Sequence, residues 1–171
     1  AKKLKVIPAI AILLLFAGLR VCGFAGLHSA IKPTIIAIGA RKNIKKLKET
    51  LLYILEKIGA LPNIGEAVIC KILYFIDFDY YEKYEEQLIG ATYIKNHHGP
   101  TPAAFTEIVK QMERDNDLIR VVKKYFQYDQ KKYLPRRKAD LSVFSAREKE
   151  LIDAEIERFK DFNANKITVA N

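Results

Sequence analysis

The feature that most constrains this chain is a helical run that is apolar on nearly every side. From Asn63 to about Glu86 the sequence reads NIGEAVICKILYFIDFDYYEKYEE, with Val68, Ile69, Ile72, Leu73, Phe75, Ile76 and Phe78 spread over most faces of one helix. A surface helix carries a single apolar stripe, whereas one that is apolar all round has to be surrounded by other elements. The run therefore predicts a central helix with a domain wrapped around it. Asn63, followed three residues later by Glu66, reads as an N-cap with its capping-box partner. The last turns, YYEKYEEQ, mix tyrosines with charges and are expected to carry Tyr80, Tyr81 and Tyr84 to solvent.

The flanking sequence supplies the wrapping. Residues 44–58 place Ile44, Leu47, Leu51, Leu52, Leu55 and Ile58 on one helical stripe, with Glu49 off it, and Gly59 and Pro62 end the helix. After the central helix, ATYIK at 91–95 is a short extended segment. Asn96-His97-His98-Gly99-Pro100 follows as a tight turn, in which Pro100 restrains Gly99 toward extended geometry. Thr101 and Pro102 then read as the N-cap and first residue of a helix using Phe105, Ile108, Val109 and Met112, which fails at Asp115-Asn116. LIRVVKKYF at 118–126 and QKKYL at 130–134 predict a two-stranded hairpin. Pro135 and the basic residues 136–138 read as a linker, and Ser145 with Glu148 is a capping box opening a helix on Leu151, Ile152, Ile156 and Phe159. No element is predicted in the tail NANKITVAN. The fold class expected is mainly α with a small β-hairpin (α+β), a compact helical domain with a winged-helix-like hairpin.

Charge divides the chain in two. Ten of the 29 basic residues and none of the 20 acids fall in residues 1–48, which leaves 19 basic against 20 acidic residues for the rest. The basic pI thus belongs to the N-terminal segment, and it gives little support to nucleic-acid binding by the body of the chain. Residues 1–40 are an apolar, basic leader. AKKLK precedes fourteen uncharged residues, in the order of a signal peptide but without a clean cleavage site. The uncharged run is shorter than the ~20 residues that a bilayer needs. A membrane or export segment spanning 6–40, an element packed on the domain, and a non-native leader all remain open. The domain proper is expected at 41–171, in a reducing, cytoplasmic setting, since Cys22 and Cys70 form no disulfide framework.

Few residues point to chemistry. His97 and His98 could ligate a metal, but such a site needs three or four donors, and a polar loop is the simpler reading. Cys70 lies in an apolar helix, where a free cysteine packs as a small hydrophobe. Asp77 and Asp79 fall on different helix faces. No catalytic residues, metal or cofactor are expected. The hairpin and its sequel carry Lys123, Lys124, Lys131, Lys132, Arg136 and Arg137, which could contact DNA phosphates weakly. Lysines also guard exposed sheet edges against pairing.

At KILYFIDFDYYEKYEEQLIGATYIKNHHGPTP the chain resembles the Panacea, or SocA-like, antitoxin domain of bacteria and phages. Lys71, Leu73, Tyr74, Phe75 and Asp77 match the family's helix motif, and Gly90, Tyr93, Gly99, Pro100 and Pro102 match its second motif. The likeness runs over roughly 44–165. The family's closing Asp-x-Ser-His element has no match before Asn171, which gives an expectation of a domain truncated at its C-terminus. The resemblance implies an antitoxin of a type II toxin–antitoxin pair, a non-enzymatic protein that binds and masks a cognate toxin. The helix-motif residues, with Gly90, Gly99 and Pro102, are expected to keep the fold. Tyr80, Tyr81, Tyr84, Tyr93, His97, His98 and Pro100 are the expected partner-binding surface. A DNA-binding regulator is the alternative.

Overall fold

The computed structural model describes residues 35–37, 43–96 and 99–169. Helix α1 spans Ile44–Ile58, and its first turn is closed by the Asn43 side chain, which accepts from the Lys46 amide at 3.0 Å. Leu47, Leu51, Leu52, Leu55 and Ile58 are buried as their spacing predicts. Ile44 is instead 40% exposed, because the first turn lies at the margin of the packed face. The buried arc is also wider than the predicted stripe, for Glu49 and Thr50 are inside it.

Helix α2, Glu66–Tyr84, is the central element. Val68 through Asp77 are buried without a break, and the helix packs against α1, a short strand and two C-terminal helices. Its predicted capping box does not form: Gly65 occupies the N-cap without a side-chain bond. Both expected partners are taken by tertiary contacts. The Asn63 amide donates to the Lys160 and Phe162 carbonyls, at 2.8 and 2.9 Å, and the Glu66 carboxylate accepts from the Tyr133 hydroxyl. The helix stops at Tyr84, earlier than expected. Glu85 turns into left-handed geometry at φ 56°, and its amide closes on the Tyr81 carbonyl at 2.8 Å.

Two sheets flank this helix. Strand β1, Ile35–Ala37, pairs antiparallel with β2, Thr92–Asn96, and β2 pairs antiparallel with β3, Gly99–Pro102. The β3 strand corrects the expectation that Thr101 and Pro102 open a helix. Thr101 precedes a proline, which holds it extended, and a strand at the end of the β1-β2-β3 order tolerates two prolines without amide donors. Helix α3 therefore starts later, at Phe105–Arg114, behind Ala104 and with no side-chain cap. It buries the predicted Phe105, Ile108, Val109 and Met112.

The second sheet is the expected hairpin, longer and tighter than predicted. β4, Leu118–Tyr125, pairs with β5, Tyr128–Pro135, from Leu118↔Pro135 to Tyr125↔Tyr128, so only Phe126 and Gln127 form the turn. A short 3₁₀ turn at Leu141–Val143 leads to α4, Ala146–Phe159, which opens with the predicted Ser145–Glu148 capping box. The tail adds α5, Ala164–Val169, with Ile167 fully buried. The result is a mainly helical α+β domain. Apart from β1, residues 1–40 and the expectations attached to them lie outside the described residues. Among the described residues no helix is long and apolar enough to cross a membrane.

Candidate functional site

The motif residues Lys71, Tyr74, Asp77, Gly90, Tyr93 and Gly99 gather where α2 faces the segment that follows it. Asp77 points from the fourth turn of α2 into the bend at 88–91. Its Oδ1 accepts from the Ile89 and Gly90 amides, at 2.7 and 3.2 Å, and its Oδ2 accepts from the Ala91 amide at 3.1 Å. The Tyr93 hydroxyl lies 2.9 Å from both Asp77 Oδ2 and the Leu73 carbonyl. Asp77 is 4% exposed and Tyr93 is fully buried. Burial raises the Asp77 carboxyl above the ordinary aspartate range, and the three amides and the tyrosine hydroxyl offset only part of that rise. The three amides can only donate and so suit a carboxylate, while the single Tyr93 proton is shared between Asp77 and the Leu73 carbonyl.

The glycines of the second motif follow from the same geometry. Gly90 takes φ 66°, which lets its amide and both neighbouring amides turn toward one carboxylate. Gly99 takes φ 111°, and a Cβ there would lie 2.6 Å from Lys71 Cε. Lys71 is itself 2% exposed, threading past Gly99 to within 3.5 Å of the Ala164 carbonyl of α5, and burial lowers its pKa. Tyr74 and Phe75 complete the packing. The Tyr74 ring lies 4.1 Å from Phe78 and 5.4 Å edge-on from Tyr93, and Phe75 stacks at 4.6 Å on Phe159 of α4. Pro100 and Pro102 are buried in β3, opposite Lys95 and Tyr93. Cys70 is buried, and desolvation raises its pKa, so it is held as a thiol rather than a thiolate nucleophile.

The expected tyrosine surface is smaller than the sequence suggests. Tyr80 is 1% exposed, with Arg147 of α4 over its ring at 5.6 Å. Tyr93 and Pro100 are buried as well, because the β2–β3 hairpin folds back onto α2. Tyr81 and Tyr84 are half-buried. Tyr84 sits beneath Arg147 at 4.4 Å, and that guanidinium also pairs with Glu86 at 2.7 Å. His97 and His98 lie outside the described residues.

The basic residues considered for DNA are mostly engaged by the chain itself. Lys132 is buried, and its ammonium donates to the Ala60 and Leu61 carbonyls just beyond the C-terminus of α1, where the helix dipole favours a cation. Lys131 pairs with Glu66 at 3.5 Å and Lys124 with Asp129 at 2.7 Å. Arg136 donates to the Asn116 side chain at 2.7 Å. Arg137 is no linker residue: its guanidinium grips Glu49 through both terminal nitrogens, at 2.9 and 2.7 Å, and Asp117 through Nε at 2.6 Å. Sequence reasoning missed this bridge between α1 and the segment after β5. Its only sequence signal was an acid on the flank of an amphipathic helix.

These contacts define a class: a mainly helical α+β domain whose signature residues tie one central helix to the bend and hairpin that follow it. The family model described as antitoxin SocA-like, Panacea domain matches residues 69–169, more than half of the chain, and the chain belongs to that family. Membership suggests a toxin–antitoxin role with a toxin as partner, and a role other than catalysis. No curated protein and no solved structure matches the chain.

Proposed function

We propose that this protein is a cytoplasmic antitoxin that neutralises a cognate toxin protein by binding it directly, without catalysing a reaction. The family match over residues 69–169 carries the reading. Two features of the site support it. The Asp77 carboxylate is saturated by donors from its own chain, and the Cys70 thiol is buried with a raised pKa, so neither is poised as a base or nucleophile. The accessible remainder of the tyrosine surface is Tyr81 and Tyr84, beside Glu86 and Arg147. Half-exposed tyrosines supply contact area at little entropic cost and keep a polar tip. The DNA-binding alternative is weakened by the acids and carbonyls that already hold Lys124, Lys131, Lys132 and Arg137.

Co-expression with the product of a neighbouring toxin-like reading frame tests the proposal. The wild-type chain is expected to restore growth, and Tyr81→Ala to neutralise less well while remaining folded. A wild-type chain that neither binds nor neutralises that product would end the antitoxin reading. Full neutralisation by Tyr81→Ala would move the surface elsewhere. Tight operator binding that survives added salt in a gel shift would favour the regulator instead.

A further inference from the structure

The β4–β5 hairpin carries an observation that the tyrosine surface does not use. Its turn residue Phe126 is 85% exposed, and the neighbouring Tyr128 and Val122 are 76% and 64% exposed. Phe126 also takes φ 54°, a left-handed conformation that glycine or asparagine adopts readily and an aromatic residue rarely does. Neither core packing nor turn chemistry accounts for a phenylalanine here. The side chain fills no cavity, and the backbone would be easier with another residue. Backbone strain retained at an exposed aromatic is a pointer to function. The Tyr125 and Phe126 rings meet edge-on at 4.8 Å, which braces the tip as an apolar knob.

We propose that this hairpin tip is an anchor which the protein inserts into an apolar pocket with an acidic rim on its partner protein. The proposal rests on the antitoxin reading and assigns it a contact at the opposite end of α2 from Tyr81 and Tyr84. Charge sets the rim. Lys123 is exposed and has no acidic partner among the described residues, so the apolar tip presents one uncompensated cation. The same count argues against a nucleic-acid strand. Arg120, Lys124 and Lys131 are each paired with an acid and Lys132 is buried, which leaves too few cations to follow a phosphate backbone. Buried aromatic anchors carry most of the energy of protein interfaces, and one flanking charge acts chiefly on orientation and on-rate.

The test compares wild type, Phe126→Gly and Lys123→Glu for binding to the purified product of the neighbouring toxin-like reading frame. Glycine suits the backbone at position 126, so Phe126→Gly should melt at or above the wild-type temperature. It should nevertheless bind at least ten-fold more weakly. Lys123→Glu should lose at least three-fold, and high salt should shrink that loss. Phe126→Gly binding within two-fold of wild type would overturn the anchor while leaving the antitoxin reading standing. A wild-type chain that does not bind removes both. Two further outcomes also overturn the anchor. One is a wild-type chain that self-associates in sedimentation through Phe126, which makes a second copy the occupant. The other is oligothymidylate binding that Phe126→Gly abolishes, which makes the occupant a single strand.

Discussion

The two ends of the central helix obey opposite rules. Toward its C-terminal end, Asp77 is a buried group surrounded by three amides and a hydroxyl, and the bend that presents the amides turns on Gly90 at φ 66°. Beside its N-terminal end, the hairpin anchored through Tyr133 and Lys131 to Glu66 carries its largest apolar side chain into solvent. In the first region the polar groups are inside and fully matched. In the second the apolar groups are outside and unmatched. The contrast teaches that residue type alone misleads here: an aspartate keeps the fold, and a phenylalanine is left to meet something else.

The largest test of that contrast is Asp77→Ala. It strands three buried amides and leaves the Tyr93 hydroxyl only the Leu73 carbonyl, and should cost about 3–5 kcal/mol in urea unfolding. A loss below about 1 kcal/mol would show that the bend holds without its carboxylate. Gly99→Ala should cost about 1–2 kcal/mol, from left-handed strain and the displaced Lys71 chain, with the urea midpoint shifting while the slope of the transition stays constant. An unchanged midpoint would show that Lys71 simply moves aside.

A third test uses pH. Burial and the Asp79 carboxyl, opposed by Arg158, raise Glu155 from 4.5 to about 7. A raised carboxyl pKa favours the protonated folded state, so its stabilisation is complete below pH 4.5 and is lost as pH rises through 7. Glu155→Gln should flatten this slope, with a difference of about 1 kcal/mol after allowing for solvent screening. Parallel wild-type and variant curves between pH 4.5 and 8 would refute it. The smallest effect belongs to the hairpin: Tyr128→Ser should stay within about 0.5 kcal/mol of wild type, as exposed positions do. A larger loss would show that the tip is part of the core economy after all.

Most of the helices were legible because burial imposes a period. The stripe in 44–58, the all-round apolar run in 68–76 and the Ser145–Glu148 cap each depend on residues close in sequence. The errors arose where two local signals competed or a distant group decided. Thr101-Pro102 satisfied the grammar of a helix start, but also lay in a proline-restrained extended segment, and pairing with Ile94 and Tyr93 settled it. Asn63 and Glu66 had the spacing of a capping box, yet carbonyls at 160 and 162 and the hydroxyl of Tyr133 outcompeted it. The motif residues were recognisable as a set, but their reason was not. No pattern in the sequence says that Asp77 reaches the amides of 89–91 or that Lys71 passes Gly99. Tyr80 was misplaced for a similar reason, since Arg147 and α4 cover it from far along the chain.

The bonds made by Asp77 also bear on how the chain folds. They close loops of only 12 to 16 residues, whereas the Arg137–Glu49 bridge spans 88. Short loops cost little entropy to close, so the bend on α2 can form in the rate-limiting ensemble, while the bridge has to wait for most of the chain to be in place. In refolding and unfolding kinetics, a mild substitution such as Tyr93→Phe, which removes one bond to Asp77, should therefore act mainly by slowing folding, and Arg137→Lys mainly by speeding unfolding. The helix–bend unit would then be an early nucleus, and the bridge a late latch that sets how long the folded protein lasts.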